Sequence, residues 1–214
     1  MQHDKRPFLV GITGNIGSGK STFCQILINH GLNVYFADTI ANQRLEDPNV
    51  VISLLQHFGE AILSNDPQCG LIDRKKLAEI VFSDYTDLEF LNSVLHPLVL
   101  MDLQEIVENC AEEIICIEIP LLFEADLSAC FDYLVLVTAS EPLRMARLKS
   151  RGESETRIKQ RMHAQWDDSH KKDKVDFVVE NNASTKHLEQ LATQLIEAVS
   201  NALQRSIRPF YPSQ

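Results

Sequence analysis

The chain has 214 residues, 44% of them apolar and 23% charged, and carries a net charge of −10. This balance suits a soluble globular protein with one domain, or a core with an insertion, and the acidic surplus argues against a general nucleic-acid binder, which needs a basic footprint. Five scattered cysteines (Cys24, Cys69, Cys110, Cys116, Cys130), odd in number and without a CxxC pair, read as reduced thiols of a cytoplasmic protein rather than a disulfide framework or a zinc site.

The opening "MQHDKRPFLV" has no long apolar segment, so no signal peptide is expected. No apolar run approaches the ~20 residues of a membrane span. Neither a membrane nor nucleic acid is therefore expected as a partner. The first apolar, β-branched run, Phe8–Thr13, predicts a strand, and "GNIGSGKS" (14–21) follows it. These eight residues match G-x-x-x-x-G-K-[ST] at Gly14, Gly19, Lys20 and Ser21, between a predicted strand and a predicted helix, which is the context a phosphate loop requires. Glycines let backbone N–H groups turn around phosphate oxygens without Cβ clashes, and the helix adds its positive end. Lys20 would reach the β- and γ-phosphates and the Ser21 hydroxyl would help hold Mg²⁺. The loop therefore reads as a nucleoside triphosphate site.

The helix "STFCQILINHG" is expected to close on Gly31 as its C-terminal cap. A second strand, Asn33–Phe36, runs into "ADTIA", placing Asp38 just past its carboxyl end, where open α/β sheets bind ligands. That carboxylate could take a proton from an attacking hydroxyl, hold Mg²⁺ through water, or cap the helix starting near Thr39. About seventy-five residues separate this strand from the next, far more than one crossover helix needs. They look helical: Asp73 caps "RKKLAEIVF", and Leu88, Leu91 and Leu95 form a stripe interrupted at Pro97.

The third strand, Ile114–Ile119, brings Glu118 to the place of a magnesium-holding acid, with Glu124 a turn beyond either touching magnesium through water or orienting its neighbours. The fourth and fifth strands are Tyr133–Val137 and Phe177–Val179. Between them, 141–174 is charged and poor in large apolar residues, and reads as a covering segment. It carries Arg144, Arg147, Arg151, Arg157 and Arg161, whose planar forks suit phosphate oxygens. "HKKD" (170–173) is the nearest thing to a guanine-reading N-K-x-D; with His170 in place of the asparagine, it reads as a solvated charge run, and ATP is preferred to GTP. Leu188, Leu191, Leu195, Val199 and Leu203 set a final amphipathic helix, and "RPFYPSQ" reads as a loosely ordered tail. Strand alternating with helix means an α/β, doubly wound fold.

"GITGNIGSGKST", "FADTIA", "GLIDRKKLAEIVFSD", "LHPLV", "IPLLFEA" and "RMHAQ" followed by "VDFVVENNAS" occur in that order. Together they resemble the dephospho-CoA kinase family, from Phe8 to about Leu203. The resemblance implies ATP-dependent phosphorylation of the ribose 3′-hydroxyl of dephospho-CoA, with Mg²⁺, by a monomer or small homo-oligomer. A kinase for another small acceptor, or a nucleotide-dependent switch ATPase, are the alternative readings of the same loop. The implied fold is α/β, P-loop kinase-like, a parallel five-stranded sheet with helices on both faces, plus a helical substrate-binding insertion and a lid. The nucleotide core would be 1–43, 111–140 and 175–205, the acceptor-binding insertion 44–110, the lid 141–174 and the tail 206–214.

By the same resemblance Asp38 is the catalytic acid, working with Lys20 and with Arg161 in an R-[IM]-x-x-Q pattern that ends at Gln165. ATP is expected on Gly14, Asn15, Ile16, Gly17, Ser18, Gly19, Lys20, Ser21 and Thr22, with Arg147, Arg151 and Asn181. Thr13, His96, Pro97, Leu121 and Glu124, together with Asp38, are expected to line the acceptor site, and Ser21 and Glu118 to serve the metal. His96 before Pro97 also reads as a helix-kink residue, and Trp166 as an apolar anchor of the lid or a platform for adenine. The chain departs from the family pattern at Phe36, which replaces the first acid of Asp-Ala-Asp, and at Asn15, which replaces the second glycine of Thr-Gly-Gly-Ile.

Overall fold

A computed structural model describes residues 6–65, 71–81, 83–163 and 165–203. Cys69 and the 206–214 tail lie outside the described residues. All five apolar runs form strands: β1 (Phe8–Thr13), β2 (Asn33–Phe36), β3 (Ile114–Glu118), β4 (Tyr133–Thr138) and β5 (Phe177–Glu180). They make one sheet, parallel throughout, in the order β2-β3-β1-β4-β5. The helices are α1 (Lys20–Asn29), α2 (Ala37–Arg44), α3 (Pro48–Phe58), α4 (Arg74–Val81), α5 (Tyr85–Asn109), α6 (Glu141–Ser150), α7 (Glu155–His163), α8 (Asp168–Lys172) and α9 (Thr185–Ala202).

Strand order follows from burial. β1 is buried along its whole length and takes the centre, whereas β2, half-buried throughout, takes an edge. The chain passes to one side of β1 through β3 and β2 and to the other through β4 and β5, so β1 marks the point where strand order reverses, and ligands of open α/β sheets bind at the carboxyl ends there. Register brings Ile12, Glu118 and Phe36 level at that end.

The chain divides into two compact units, one formed by the residues up to Phe36 and from Asn109 onward, the other by Ala37–Glu108. In the first, Phe8, Val10 and Ile12 pack with Phe23, Ile26 and Leu27 of α1 and Leu188, Leu195 and Val199 of α9. The α9 stripe expected from spacing is therefore the buried face. The end of α1 is also as expected: Gly31 takes φ 89°, which L side chains resist, and the Leu32 N–H donates back to the Leu27 carbonyl at 3.1 Å. Gly11 alternates to the other side of β1, where a Cβ would lie 2.8 Å from Cγ of Phe131 and 3.0 Å from Leu122 and Leu134. Beside it, the buried Asp132 carboxylate binds both Arg6 Nη atoms at 2.7 Å and the Leu9 N–H at 2.9 Å, which anchors the start of β1.

The second unit has its own core, including Val50, Leu54, Ile62, Ile72, Leu77, Val81 and Leu95. Asp73 caps α4 as expected, accepting from the N–H groups of Lys75 at 2.9 Å and Lys76 at 3.2 Å. Asp47 does the same for α3 with Pro48 in the first turn, and Arg44 pairs with Asp102 to tie α2 to α5. The expected interruption at Pro97 is corrected, because α5 runs straight through it. Proline removes one ladder bond, but Leu95, Val99, Leu103 and Val107 are buried at helical spacing along the same element, and that apolar face holds the helix together across the gap.

Filling the small space at Gly11 tests this packing. Gly11→Ala should lower unfolding stability by about 1–3 kcal/mol through overpacking, read as a shifted urea midpoint at unchanged slope.

Candidate active site

β1 leaves the sheet through residues 14–19 into α1, whose first N–H groups have no partner within the helix and point toward the loop. Two glycines are required by close approach. Gly14 has φ 149° and a Cβ there would lie 2.0 Å from the Val137 carbonyl oxygen; Gly19 has φ 94° and its Cβ would lie 2.2 Å from Nδ2 of Asn181. Lys20 is only 9% exposed, and its ammonium donates to the carbonyls of Gly14 at 2.7 Å and Asn15 at 3.4 Å. Glu118, also buried, holds a carboxylate oxygen 4.0 Å from the same nitrogen. The Ser18 Oγ is buried inside the loop with no hydrogen-bond partner among the described residues. A lysine, a helix end and an enclosed hydroxyl thus meet within one loop.

The outer side of the loop is held by distant segments. Arg147 of α6 donates to the carbonyls of Gly17 at 3.3 Å and Ser18 at 3.1 Å, and its other arm to the Asn181 carbonyl at 3.1 Å. Burial first, and Arg151 nearby second, lower its pKa from a very high starting point, so it remains a cation. The side chain of Asn181, one residue past β5, donates to the Ser18 carbonyl at 2.8 Å. Both residues brace the loop's carbonyls.

Residues 165–171 form a second brace. Gln165 Oε1 accepts the Ile16 N–H at 2.8 Å, and the Trp166 carbonyl accepts from Asn15 Nδ2 at 3.0 Å. Lys171 on α8 is wholly buried and donates to Asn15 Oδ1 at 2.9 Å and Glu124 Oε1 at 2.8 Å, while Glu124 Oε1 also accepts the Trp166 N–H at 2.9 Å. The solvated reading of "HKKD" is therefore corrected at Lys171, which is buried, and residues 165–171 bond the loop directly. Nothing in the run "HKK" separates Lys171 from its neighbours; only the phase of α8 turns it inward. The family glycine replaced by Asn15 is accommodated, since among the described residues the only non-glycine with positive φ is Asp126.

The remaining candidates fall as follows. Ser21 and Thr22 are exposed in the first turn of α1. The Thr13 hydroxyl donates to the Pro120 carbonyl at 3.2 Å, joining the ends of β1 and β3, and Leu121 lies in the turn after it. Arg161 of α7 pairs with Glu153 at 3.0 Å, and Arg151 is exposed at the end of α6. Asp38, His96 and Pro97 belong to the second unit. α2 begins at Ala37, so Asp38 stands within its first turn rather than capping it. Two residues earlier, Phe36 packs against the apolar core. The His96 ring keeps exposed surface, yet surrounding protein displaces enough water to lower its pKa. Trp166 stacks on Phe123 with centroids 6.3 Å apart, under the Lys174 ammonium at 5.1 Å. Burial pushes the thiols of Cys24, Cys116, Cys110 and Cys130 up, and all four stay protonated near neutrality. No cluster of three or more His, Cys, Asp or Glu residues able to hold a metal occurs among the described residues, and no helix there is long and apolar enough to cross a membrane.

A parallel sheet of this order, opening at its central strand through a glycine loop onto a buried lysine and a helix end, defines a P-loop kinase fold. Shikimate kinase from Acinetobacter baumannii shares that fold at 12% identity, with a TM-score of 0.55 over 91% of this chain and 94% of the other. A family model described as dephospho-CoA kinase matches residues 8–187. The dephospho-CoA kinase of Chlorobaculum tepidum is 37% identical over 198 residues, covering 90% of this chain and 95% of its own. That of Helicobacter pylori is 35% identical, covering 89% and 96%. Among solved structures, TT1252 from Thermus thermophilus is similar with a TM-score of 0.78 at 34% identity, over 91% of this chain and 98% of that one. Dephospho-CoA kinase from Campylobacter jejuni is similar with a TM-score of 0.65 at 26% identity, over 90% and 97%. The chain belongs to the dephospho-CoA kinase family.

The loop geometry carries its own test. Gly19→Ala places a Cβ against Asn181 at a φ that alanine resists, and ADP affinity measured by calorimetry should fall at least tenfold, roughly what 1–3 kcal/mol of local strain removes.

Proposed function

We propose that the chain transfers the γ-phosphoryl group of ATP to the ribose 3′-hydroxyl of dephospho-CoA, giving coenzyme A and ADP, the final step of coenzyme A synthesis. The observation that carries this reading is the phosphate loop with Lys20 buried beside Glu118, in a chain that the family model covers for most of its length. Lys20 exchanges its two carbonyl partners for β- and γ-phosphate oxygens, and the N–H groups at the start of α1 donate to the remaining phosphate oxygens. The Ser21 hydroxyl and the Glu118 carboxylate, the latter through water, are hard oxygen donors that fit Mg²⁺ held chiefly by substrate phosphates. When bound with ATP, magnesium supplies neutralisation of the β- and γ-oxygens.

Asp38, two residues past the end of β2, is the group we assign to take the proton of the 3′-hydroxyl as it attacks in line. Arg161, with Arg151, brings positive charge from a lid formed by 141–174, and closure excludes water that would hydrolyse ATP. Arg147 and Asn181 serve the nucleotide by fixing the loop's carbonyls. The helical residues 44–110, including His96 and Pro97, take the acceptor, with Thr13, Leu121 and Glu124 completing its surroundings. The working unit is a monomer or small homo-oligomer in the cytoplasm.

A coupled ADP-release assay with Mg-ATP should show turnover only when dephospho-CoA is added, with a product one phosphate heavier by mass spectrometry. ADP release independent of that acceptor would reject it in favour of another alcohol or a switch ATPase. Asp38→Asn should retain ATP affinity within about twofold and lose roughly 10²–10⁴ in kcat. Near-normal turnover in that variant would remove Asp38 as the base.

A further inference from the structure

Lys171 is a charge the chemistry above does not use, and an ammonium taken wholly out of water carries a penalty of several kcal/mol that an apolar side chain would avoid. Its two partners lie on different structural elements. One is Asn15, inside the phosphate loop; the other is Glu124, on the turn after β3. An amide has an accepting end and a donating end, so an ammonium on Asn15 Oδ1 fixes which way the amide faces and directs Nδ2 to the Trp166 carbonyl. Trp166 closes the ring by donating its N–H to the same Glu124 oxygen that Lys171 binds. One position on, the Ile16 N–H is held by Gln165.

Asn15 is also gripped from its main chain, where its carbonyl accepts from Ser18 N–H at 3.1 Å and from Lys20 Nζ at 3.4 Å. Two lysines therefore meet on one residue, Lys20 on the carbonyl and Lys171 on the side chain. When Lys20 turns to phosphate oxygens it gives up its hold on the loop entry, and Lys171 remains. We propose that Lys171 is a positioning residue: through Asn15 and Glu124 it keeps residues 15 and 16 in place while the stretch from Gly17 to Lys20 wraps phosphate. It touches no substrate and acts on nucleotide affinity through loop preorganisation, which lowers the ordering cost of binding. This inference rests on the reading of the loop as an ATP site.

Two variants separate positioning from mere stability. Lys171→Met removes the ammonium and leaves the part-buried Glu124 carboxylate without its countercharge, so both melting temperature and affinity should fall. Lys171→Met with Glu124→Gln removes both charges at similar volume and should recover the melting temperature. ADP affinity by calorimetry should nevertheless stay about tenfold weaker in both. Emission from Trp166, the single tryptophan, reports the same ring locally. Affinity that returns with the melting temperature in the double variant would overturn the proposal, as would unchanged ADP affinity in Lys171→Met. If the single variant does not fold, the double variant decides alone by the same criterion. Wild-type protein is titrated alongside, so failure of the ATP reading appears there as absent ADP binding, and failure of this inference appears only in the variants.

Discussion

The approach of Gly14 to the Val137 carbonyl is the constraint on which the rest of the site depends. The central strand can turn out of the sheet there only because no side chain separates the two backbones. That single close contact lets the loop curl back over its own lysine and deliver α1 with its N-terminus facing inward. The sheet order places β1 between β3 and β4, so Glu118 and Thr138 end on either side of the turn. Stability of the core and geometry of the site are thus set by the same strand.

A loop with inward N–H groups has carbonyls facing outward, and these need partners of their own. Arg147 and Asn181 satisfy the carbonyls of Gly17 and Ser18 from α6 and the end of β5, while Lys171, Gln165 and Trp166 secure residues 15 and 16 from the next segment along. The arginine fork is suited to this because one planar group reaches two elements at once. The segment between β4 and β5 therefore does two kinds of work, with its α6 and α8 parts bonded to the loop and Arg161 of α7 paired within the segment to Glu153.

Much of this was legible in the sequence, for local reasons. Continuous apolar runs gave five strands because parallel strands bury both faces, and Asp73 and Gly31 were readable as caps because cap chemistry is confined to a few adjacent residues. The phosphate loop was legible because its fixed positions answer to local backbone geometry at Gly14 and Gly19 and to the chemistry of two adjacent side chains, Lys20 and Ser21. What escaped depended on distance. Arg147 and Asn181 meet across 34 residues, and Lys171 finds Asn15 across 156, pairings that no spacing rule encodes. Pro97 misled because its cost is local, whereas the burial that outweighs it runs the length of α5.

The state of the cysteines has a consequence for an enzyme whose acceptor and product both end in a thiol. Thiol–disulfide exchange runs through the thiolate, and the four described cysteines all have that form suppressed by burial, with Cys110 further engaged to Glu112. Oxidised forms of the substrate would find few reactive sulfurs on the core of this protein. At these four positions a catalyst working among free pantetheine thiols is kept chemically quiet toward the functional group it handles at every turnover.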